Sequence, residues 1–308
     1  MPHDEPTTHR VVVFGSANED LVLNVAGLPV AGATVLASSS ATGPGGKGAN
    51  QAVAAARSGA GVAFVGAVGD DERGSRIIEA LVAHGIDVSA TSRLSEPTGL
   101  AVVVVAADGG NLIVVASGAN GALGSGTVDA AIDELERGDV ALIQCEIPAD
   151  VVEHVIRRAA PSGARIVLNL APYVELAPDV LRQVDLLVVN EGEARGVLGG
   201  DGRTEPEQLA NAVRGAIGCG TIVTLGERGS VLADADGVTV IPADTVEHVV
   251  DTTGAGDVYA GTLAASLAGG ATLRAAMTVA TRRAAESVAS RGAQAPVAAA
   301  SGTEYQRT

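Results

Sequence analysis

Gly254, Ala255 and Gly256 lead straight into Asp257 and an apolar segment behind it. A turn of small residues that opens into a helix leaves backbone N–H groups pointing outward, a geometry that binds anions. A carboxylate at the same spot is out of keeping with a simple anion hole. It suits a base that takes a proton beside a phosphate. The same residues would also serve as a tight turn, with Asp257 favoured near the helix start by the macrodipole.

A second glycine run, Gly43-Pro44-Gly45-Gly46-Lys47-Gly48, contains the pattern G-x-G-x-x-G, with Asp70 some way downstream. A dinucleotide site needs that fingerprint at the first βα turn. Here the first turn is Gly15-Ser16-Ala17. A Walker loop also fails, since Ala41 stands at its first glycine position and Gly48 replaces its Ser/Thr. The plain alternative is a turn capping a helix that begins near Ala49. One detail makes the run more than punctuation. Of the 20 basic residues, Lys47 is the only lysine, every other one being arginine.

Further polar residues stand where apolar runs end. Asn190-Glu191-Gly192-Glu193 follows Leu186–Val189, so Glu193 would either face a metal-bound phosphate or reach back to close a capping box on Asn190. Gln144-Cys145-Glu146 ends another buried run, where a polar side chain needs a partner or a ligand. Asn18 and Asp20, two apart in an extended segment, point to one side of it. The five histidines have no metal-ligand spacing, and Cys145 and Cys219 suit neither a disulfide framework nor a metal site.

The elements that must position these groups alternate. Val11–Phe14, Val62–Val68, Val140–Gln144, Ile166–Asn169, Leu186–Val189 and Ile222–Leu225 read as short buried strands. Helical patterns cover Ala49–Ser58, Asp71–His84, Thr127–Arg137, Ala149–Ala159, Glu191–Leu198, Pro206–Ile217, Gly256–Leu267 and Leu273–Ser290. The order predicts an α/β fold with a mostly parallel sheet covered on both faces. Leu21–Ala41 and Thr98–Ala116 break the alternation. The second reads as a hairpin, Leu100–Ala106 with Asn111–Ala116, and together the two segments would build a small separate sheet, a lid. Residues 1–9 and 299–308 read as tails.

Composition narrows the function. The 308 residues carry a net charge of −16, against nucleic acid or an anionic membrane surface as partner. Aromatic content of 2% with no Trp leaves no stacking platform for bases. There is no signal-like start and no membrane-length apolar run, so the expected location is cytoplasmic.

Gly45-Gly46-Lys47-Gly48-Ala49-Asn50-Gln51-Ala52 and Asp251-Thr252-Thr253-Gly254-Ala255-Gly256-Asp257 resemble the two signature segments of the ribokinase/fructokinase sugar-kinase family. Gly15 to Asp20, Gly69-Asp70-Asp71, Gly118-Ala119-Asn120, Asn190 with Glu193, Thr224-Leu225-Gly226 and Gly292-Ala293-Gln294 fall in family order. The match spans about residues 11–297.

This resemblance implies a single ribokinase-like three-layer domain whose lid, about 18–44 and 97–121, forms a homodimer contact. It implies ATP-dependent phosphorylation of a sugar's primary hydroxyl, first the 5-hydroxyl of D-ribose to give ribose 5-phosphate. The alternatives are a sibling kinase acting on another sugar, a deoxysugar or a nucleoside, and, ranked lower because Asp257 is present, a non-catalytic sugar-binding relative. Asp257 would be the general base, and Gly254, Ala255 and Gly256 the anion hole. Asn18, Asp20, Gly46, Lys47, Asn50 and Glu146, with Asp257, match sugar-holding positions. Asn190 and Glu193 would place Mg²⁺ and the phosphates, and Thr224, Gly226 and Gly256 would line the nucleotide. A K⁺ site would involve Asp251, Thr253, Ser287, Ser290 and Gly292. The sequence departs from the family pattern twice. Thr281-Arg282-Arg283-Ala284-Ala285-Glu286 replaces a small, Ala-rich helix at the adenine pocket, and Ala295-Pro296-Val297 lacks a hydroxyl expected near K⁺.

Overall fold

The first strand, β1 (Arg10–Phe14), is apolar throughout beyond Arg10 and buried on both faces, as a central parallel strand must be. The computed structural model describes residues 9–200, 205–290, 292 and 294. After β1 come β2 (Asn18–Val25), β3 (Ser39–Gly45), α1 (Lys47–Arg57), β4 (Gly61–Val65), β5 (Ala67–Gly69), α2 (Glu72–Ala83), β6 (Ser92–Leu94), β7 (Gly99–Ala106) and β8 (Asn111–Ala116). The regular alternation follows: α3 (Ser125–Asp133), β9 (Val140–Gln144), α4 (Ala149–Ala159), β10 (Arg165–Asn169), α5 (Pro178–Leu181), β11 (Leu186–Asn190), α6 (Glu191–Leu198), α7 (Pro206–Ile217) and β12 (Gly220–Thr224). The order closes with β13 (Ser230–Asp234), β14 (Gly237–Ile241), α8 (Ala255–Ala268) and α9 (Leu273–Ser287).

The main sheet runs β14-β13-β12-β11-β10-β9-β1-β4, parallel from β4 to β12 and antiparallel beyond. Successive strand residues feed opposite cores. Val12 and Phe14 pack with residues of α3 to α7, while Val11 and Val13 pack with α1, α2, α8 and α9. The result is a helix–sheet–helix sandwich. The chain leaves β1 for β4 on one side and returns to β9 on the other. In open parallel sheets, the crevice at the strand C-termini beside such a reversal is where ligands bind.

A second sheet, β3-β2-β7-β8, is the small separate one that the sequence predicts. Glu19 on β2 is buried and ion-paired to Arg73 (3.0 Å) and Arg76 (2.5 Å) of α2, which anchors this sheet to the main body. Its neighbours Asn18 and Asp20 therefore take the opposite face. The outer strand β8 is apolar and exposed along its whole length, with Leu112, Ile113, Val114 and Val115 each 40–58% accessible.

The structure departs from the sequence reading in places with clear causes. The run Val62–Val68 divides at Gly66, where a Cβ would strike the Gly15 carbonyl, and the chain turns off to pair β5 with β6. The hairpin of β13 and β14 was not anticipated, because Val238 and Val240 of the edge strand face outward. The helix expected from Ala49 starts at Lys47. That expected over Thr127–Arg137 is α3, Ser125–Asp133, and that expected to reach Ser290 ends at Ser287. The predicted tails lie outside the described residues, His9 excepted.

Helices α1 and α8 meet without side chains between them at Gly261. A Cβ there would strike the Gln51 carbonyl and come 2.8 Å from the Ala54 Cβ. Gly261→Ala should therefore lower stability by about 1–3 kcal/mol in denaturant unfolding. Gly126→Ala, on α3 in open space, serves as the control and should cost nothing. Equal midpoints for the two variants would show that the α1–α8 seam yields.

Candidate active site

Helix α1 begins without a local side-chain cap, at Gly46 with φ 90°. Its first three backbone N–H groups are satisfied from elsewhere. Lys47 N donates to Glu146 Oε2 (3.0 Å), Gly48 N to Ser16 Oγ (3.4 Å) and Ala49 N to the Ser16 carbonyl (2.9 Å). Ser16 Oγ in turn donates to Glu146 Oε2 at 2.5 Å. Residues just past β1 and β9 thus cap α1 from outside, and a carboxylate meets the positive end of its dipole. This close seating needs glycine, since a Cβ on Gly46 would lie 2.7 Å from Asn18 N and one on Gly48 2.6 Å from Ser16 N.

Helix α8 starts at Gly254, φ 78°, and the Gly254–Gly256 stretch is open to solvent or partly so. Asp257 lies just behind it, 5% exposed. Its Oδ2 accepts from Asn50 Nδ2 (3.1 Å) and its Oδ1 from Gln51 Nε2 (3.0 Å). Helix α8 thus opens at a solvent-facing turn with a buried, anchored carboxylate just behind it, while the Ala255 N–H is turned to the Thr252 carbonyl at 3.3 Å.

Around that carboxylate the structure gathers the other predicted sugar-side residues. Asn18 is buried, its Oδ1 accepting from Asn120 Nδ2 (2.7 Å), and Asn120 also brackets Ala17 through its backbone N–H and carbonyl. Asp20 sits against Gly45, where a Cβ would collide with its carboxylate. Burial, then the charges of Glu146 and Asp257, push the Asp20 carboxyl up to about 7. The Lys47 ammonium is held above its ordinary value, chiefly by Asp257, with Glu146 and Glu193 adding to it. One half-buried cation therefore faces three carboxylates, and the single lysine of the chain is that cation.

Asn190 and Thr224 end neighbouring strands β11 and β12 and are register partners. Asn190 and Glu193 form a reciprocal capping box, with both bonds at 2.8 Å, so the structural alternative for this pair is realised. Burial raises the Glu193 carboxyl, and the group stays within electrostatic reach of Lys47 and Asp257. Thr224 Oγ donates to the Val189 carbonyl (3.3 Å), and Gly226 follows with φ 60°. Asp251 joins two loops: Oδ1 accepts from Thr253 N and Oδ2 from Gly292 N, each at 2.9 Å. Ser287 Oγ donates to the Ala284 carbonyl and Ser290 N to the Ser287 carbonyl, while Val250 N and Asp251 N donate to the Val288 carbonyl (2.8 and 3.2 Å) and so set the start of the 251–253 loop beside the end of α9. Ala295-Pro296-Val297 lie outside the described residues. Arg282 and Arg283 both pair with Glu286, which occupies their charge.

Among the described residues, no group of three or more His, Cys, Asp or Glu side chains forms a metal cage. Mg²⁺ fits such a site only when nucleotide phosphates and water supply most of its oxygens. Cys145 is buried and its thiol is pushed up to about 12 by burial, consistent with an inert role. No helix among the described residues is long and apolar enough to cross a membrane.

Ser16, Gln51 and Asn120 stand inside the sequence motifs without a role of their own there, and Asn169 stands outside them. Asn169 carried a usable signal, since it ends a buried strand as Gln144 does.

A model of the pfkB family of carbohydrate kinases matches residues 8–300. The chain belongs to that family. It is 36% identical over 268 residues to the ribokinase of Bacillus subtilis, covering 87% of this chain and 89% of that one. It is 37% identical over 264 residues to the bifunctional ribokinase/ribose-5-phosphate isomerase A of Fructilactobacillus sanfranciscensis. That match covers 84% of this chain, which spans only 48% of the bifunctional protein. Arabidopsis thaliana ribokinase, solved with ribose and ATP, superposes with a TM-score of 0.82 at 31% identity, covering 92% of this chain and 94% of that one. The ribokinase-like fold with its small lid sheet is thereby established for this kinase.

The raised Asp20 carboxyl has a consequence for stability. Its folded value, about 7, lies above the ordinary 3.8, so between those pH values the folded protein keeps a proton that the unfolded chain has lost. Stability is therefore drained as pH rises through that window. Asp20→Asn should raise Tm relative to the parent, by an increment that grows between pH 5 and pH 8. Thermal melts at the two pH values check this, and an increment independent of pH would refute it.

Proposed function

We propose that this protein is an ATP-dependent ribokinase that transfers the γ-phosphoryl group of ATP to the 5-hydroxyl of D-ribose, giving ribose 5-phosphate and ADP. The observation that carries the reading is Asp257, buried and doubly hydrogen-bonded at the mouth of an open helix N-terminus, opposite Lys47 and Asp20. The ribokinase relatives named above supply the substrate pair.

In this reading Asn18, Asp20, Gly46, Lys47, Asn50 and Glu146 hold the sugar. Carboxylates and amides match hydroxyls as acceptors and donors, and the rigid backbone of Gly46 brings the turn close. Asp257 accepts the 5-hydroxyl proton as that oxygen forms its bond to the γ-phosphorus and the bond to the ADP oxygen breaks. Backbone N–H groups at Gly254, Ala255 and Gly256 face the charge on the moving phosphoryl group. Thr224, Gly226 and Gly256 line the nucleotide; the capping box uses Oε2 of Glu193, and its Oε1, with Asn190 beside it, would hold Mg²⁺ through water next to the phosphates. When bound, Mg²⁺ neutralises phosphate charge. The Asp251 link between the 251–253 and 292 segments supports a K⁺ site that stiffens the anion-hole loop, with Thr253, Ser287, Ser290 and Gly292 beside it.

Two further features belong to the same reading. The exposed apolar face of β8 supports a homodimer formed through the lid, since a second copy would bury it. Dependence on ATP and two unpaired buried thiols support a cytoplasmic location. The chain reads as one domain with the lid as its appendage.

Coupled ADP-release assays with ribose, 2-deoxyribose, fructose and adenosine should give ribose the highest kcat/KM. Asp257→Asn should keep ribose affinity and lose roughly 10²–10⁴-fold in kcat. Preference for another acceptor would transfer the protein to a sibling activity, and near-normal turnover by Asp257→Asn would remove the proposed base.

A further inference from the structure

From Oδ1 of Asp257 into the interior runs a chain of buried amides that the proposed chemistry does not use. Gln51 on α1 is fully buried in a helix whose inner face is otherwise almost all Ala and Val. Its Nε2 donates to Asp257 Oδ1 (3.0 Å) and to Asn169 Oδ1 (2.9 Å). Its Oε1 accepts from Gln144 Nε2 at 2.7 Å. Asn169 Nδ2 donates to the Val188 carbonyl at 3.1 Å. Gln144 and Asn169 are register partners at the ends of β9 and β10, so the sheet fixes their positions.

The direction of every bond in this chain follows from one backbone group. The Val188 carbonyl can only accept, so Asn169 must turn its Nδ2 to it and its Oδ1 to Gln51. Gln51 must then present Nε2, and that same amide group faces the Asp257 carboxylate. Its Oε1 is left to the other side, where Gln144 must donate. Gln51 therefore has no low-energy flipped state in which its carbonyl would face the carboxylate.

Gln144 supplies a second, independent sign. Its Oε1 is buried and has no hydrogen-bond partner among the described residues, and it rests where a Cβ on Gly15 would fall. A buried acceptor left unmatched is unfavourable, and an apolar side chain of similar size would avoid it. What the glutamine provides in return is the single N–H that locks Gln51.

We propose that Gln51 is a positioning residue for the proton acceptor: its amide, locked by Asn169 and Gln144, holds Oδ1 of Asp257 and fixes the carboxylate plane for the incoming sugar hydroxyl. Gln51 is fully buried behind the carboxylate and acts through Asp257 alone. Asn50, gripping Oδ2 and itself held by Gln294 Nε2 (3.0 Å), stands on the sugar side. The inference rests on the reading of Asp257 as the proton acceptor.

The test is a double-mutant cycle on kcat and ribose KM. Gln51→Met, close in length and volume, should lower kcat on the order of 10–100-fold with ribose KM unchanged, since misplacing a reacting group costs rate rather than binding. In an Asp257→Asn background the same change should leave the residual kcat unaltered, because the proton acceptor whose orientation Gln51 sets is already gone. Gln51→Met/Gln144→Met replaces both partners by apolar groups, and should recover Tm lost by the single variant while kcat stays low. Normal kcat in Gln51→Met, an equal loss in both backgrounds, or kcat returning together with Tm would each overturn the proposal. Near-normal turnover in Asp257→Asn alone would instead overturn the proton-acceptor reading beneath it.

Discussion

A carboxylate that is 5% exposed must be hydrogen-bonded, and the partners of Asp257 are two consecutive residues of another helix. Much of the architecture follows from that demand. Asn50 and Gln51 reach Asp257 only if α1 and α8 lie nearly backbone to backbone, which Gly261 permits. The start of α1 must then sit over the ends of β1 and β9, where Ser16 and Glu146 satisfy its first N–H groups. Two helices that are far apart in sequence are thereby referred to one point at the reversal of strand order.

The same packing concentrates charge. Glu146, Glu193 and Asp257 converge on Lys47, and burial, with repulsion from neighbouring carboxylates added to it, raises Asp20 and Glu193. Carboxylates buried this close together repel one another, and hydroxyl donors placed among them would offset that repulsion. A protein selected for stability alone would replace Asp20 with a neutral residue. In the proposed reading, where Asp20 holds the sugar, keeping it is a stability–function trade.

The frame of the site was legible in the sequence because its signals are local. Short apolar runs ending in a polar residue marked β9, β10 and β11, and small residues before Asp257 marked the start of α8. Pro206 and the Asn190–Glu193 spacing fixed helix starts to the residue. What stayed hidden depends on contacts between distant segments. Nothing near Lys47 says that Glu146 will cap its N–H, and this moved the start of α1 two residues ahead of Ala49. Gln51 reads as one polar residue in an Ala-rich helix until Asn169 and Gln144 are brought beside it. The β13–β14 hairpin escaped because its edge-strand valines face outward rather than alternating into a core.

Strand order also sets the direction in which a reaction at this site would run. The residues proposed to hold the sugar cluster over β1 and β9, and the small sheet rises from the end of β1. Asn190 and Thr224 stand over β11 and β12. At about 4.8 Å per strand, β1 and β12 are roughly 19 Å apart, with β9, β10 and β11 between them. Two substrates laid along that edge, one from each end, would meet near the middle. Asp257 is tied there, through Gln51, to Asn169 at the end of β10. In the proposed reading the base and the anion-binding helix end therefore stand between the two halves of the cleft because the strand order leaves their shared anchor nowhere else to be. Changing which sugar is accepted would then call for substitutions on the small sheet and the 45–50 turn, while the phosphoryl-transfer centre over the middle strands could remain as it is.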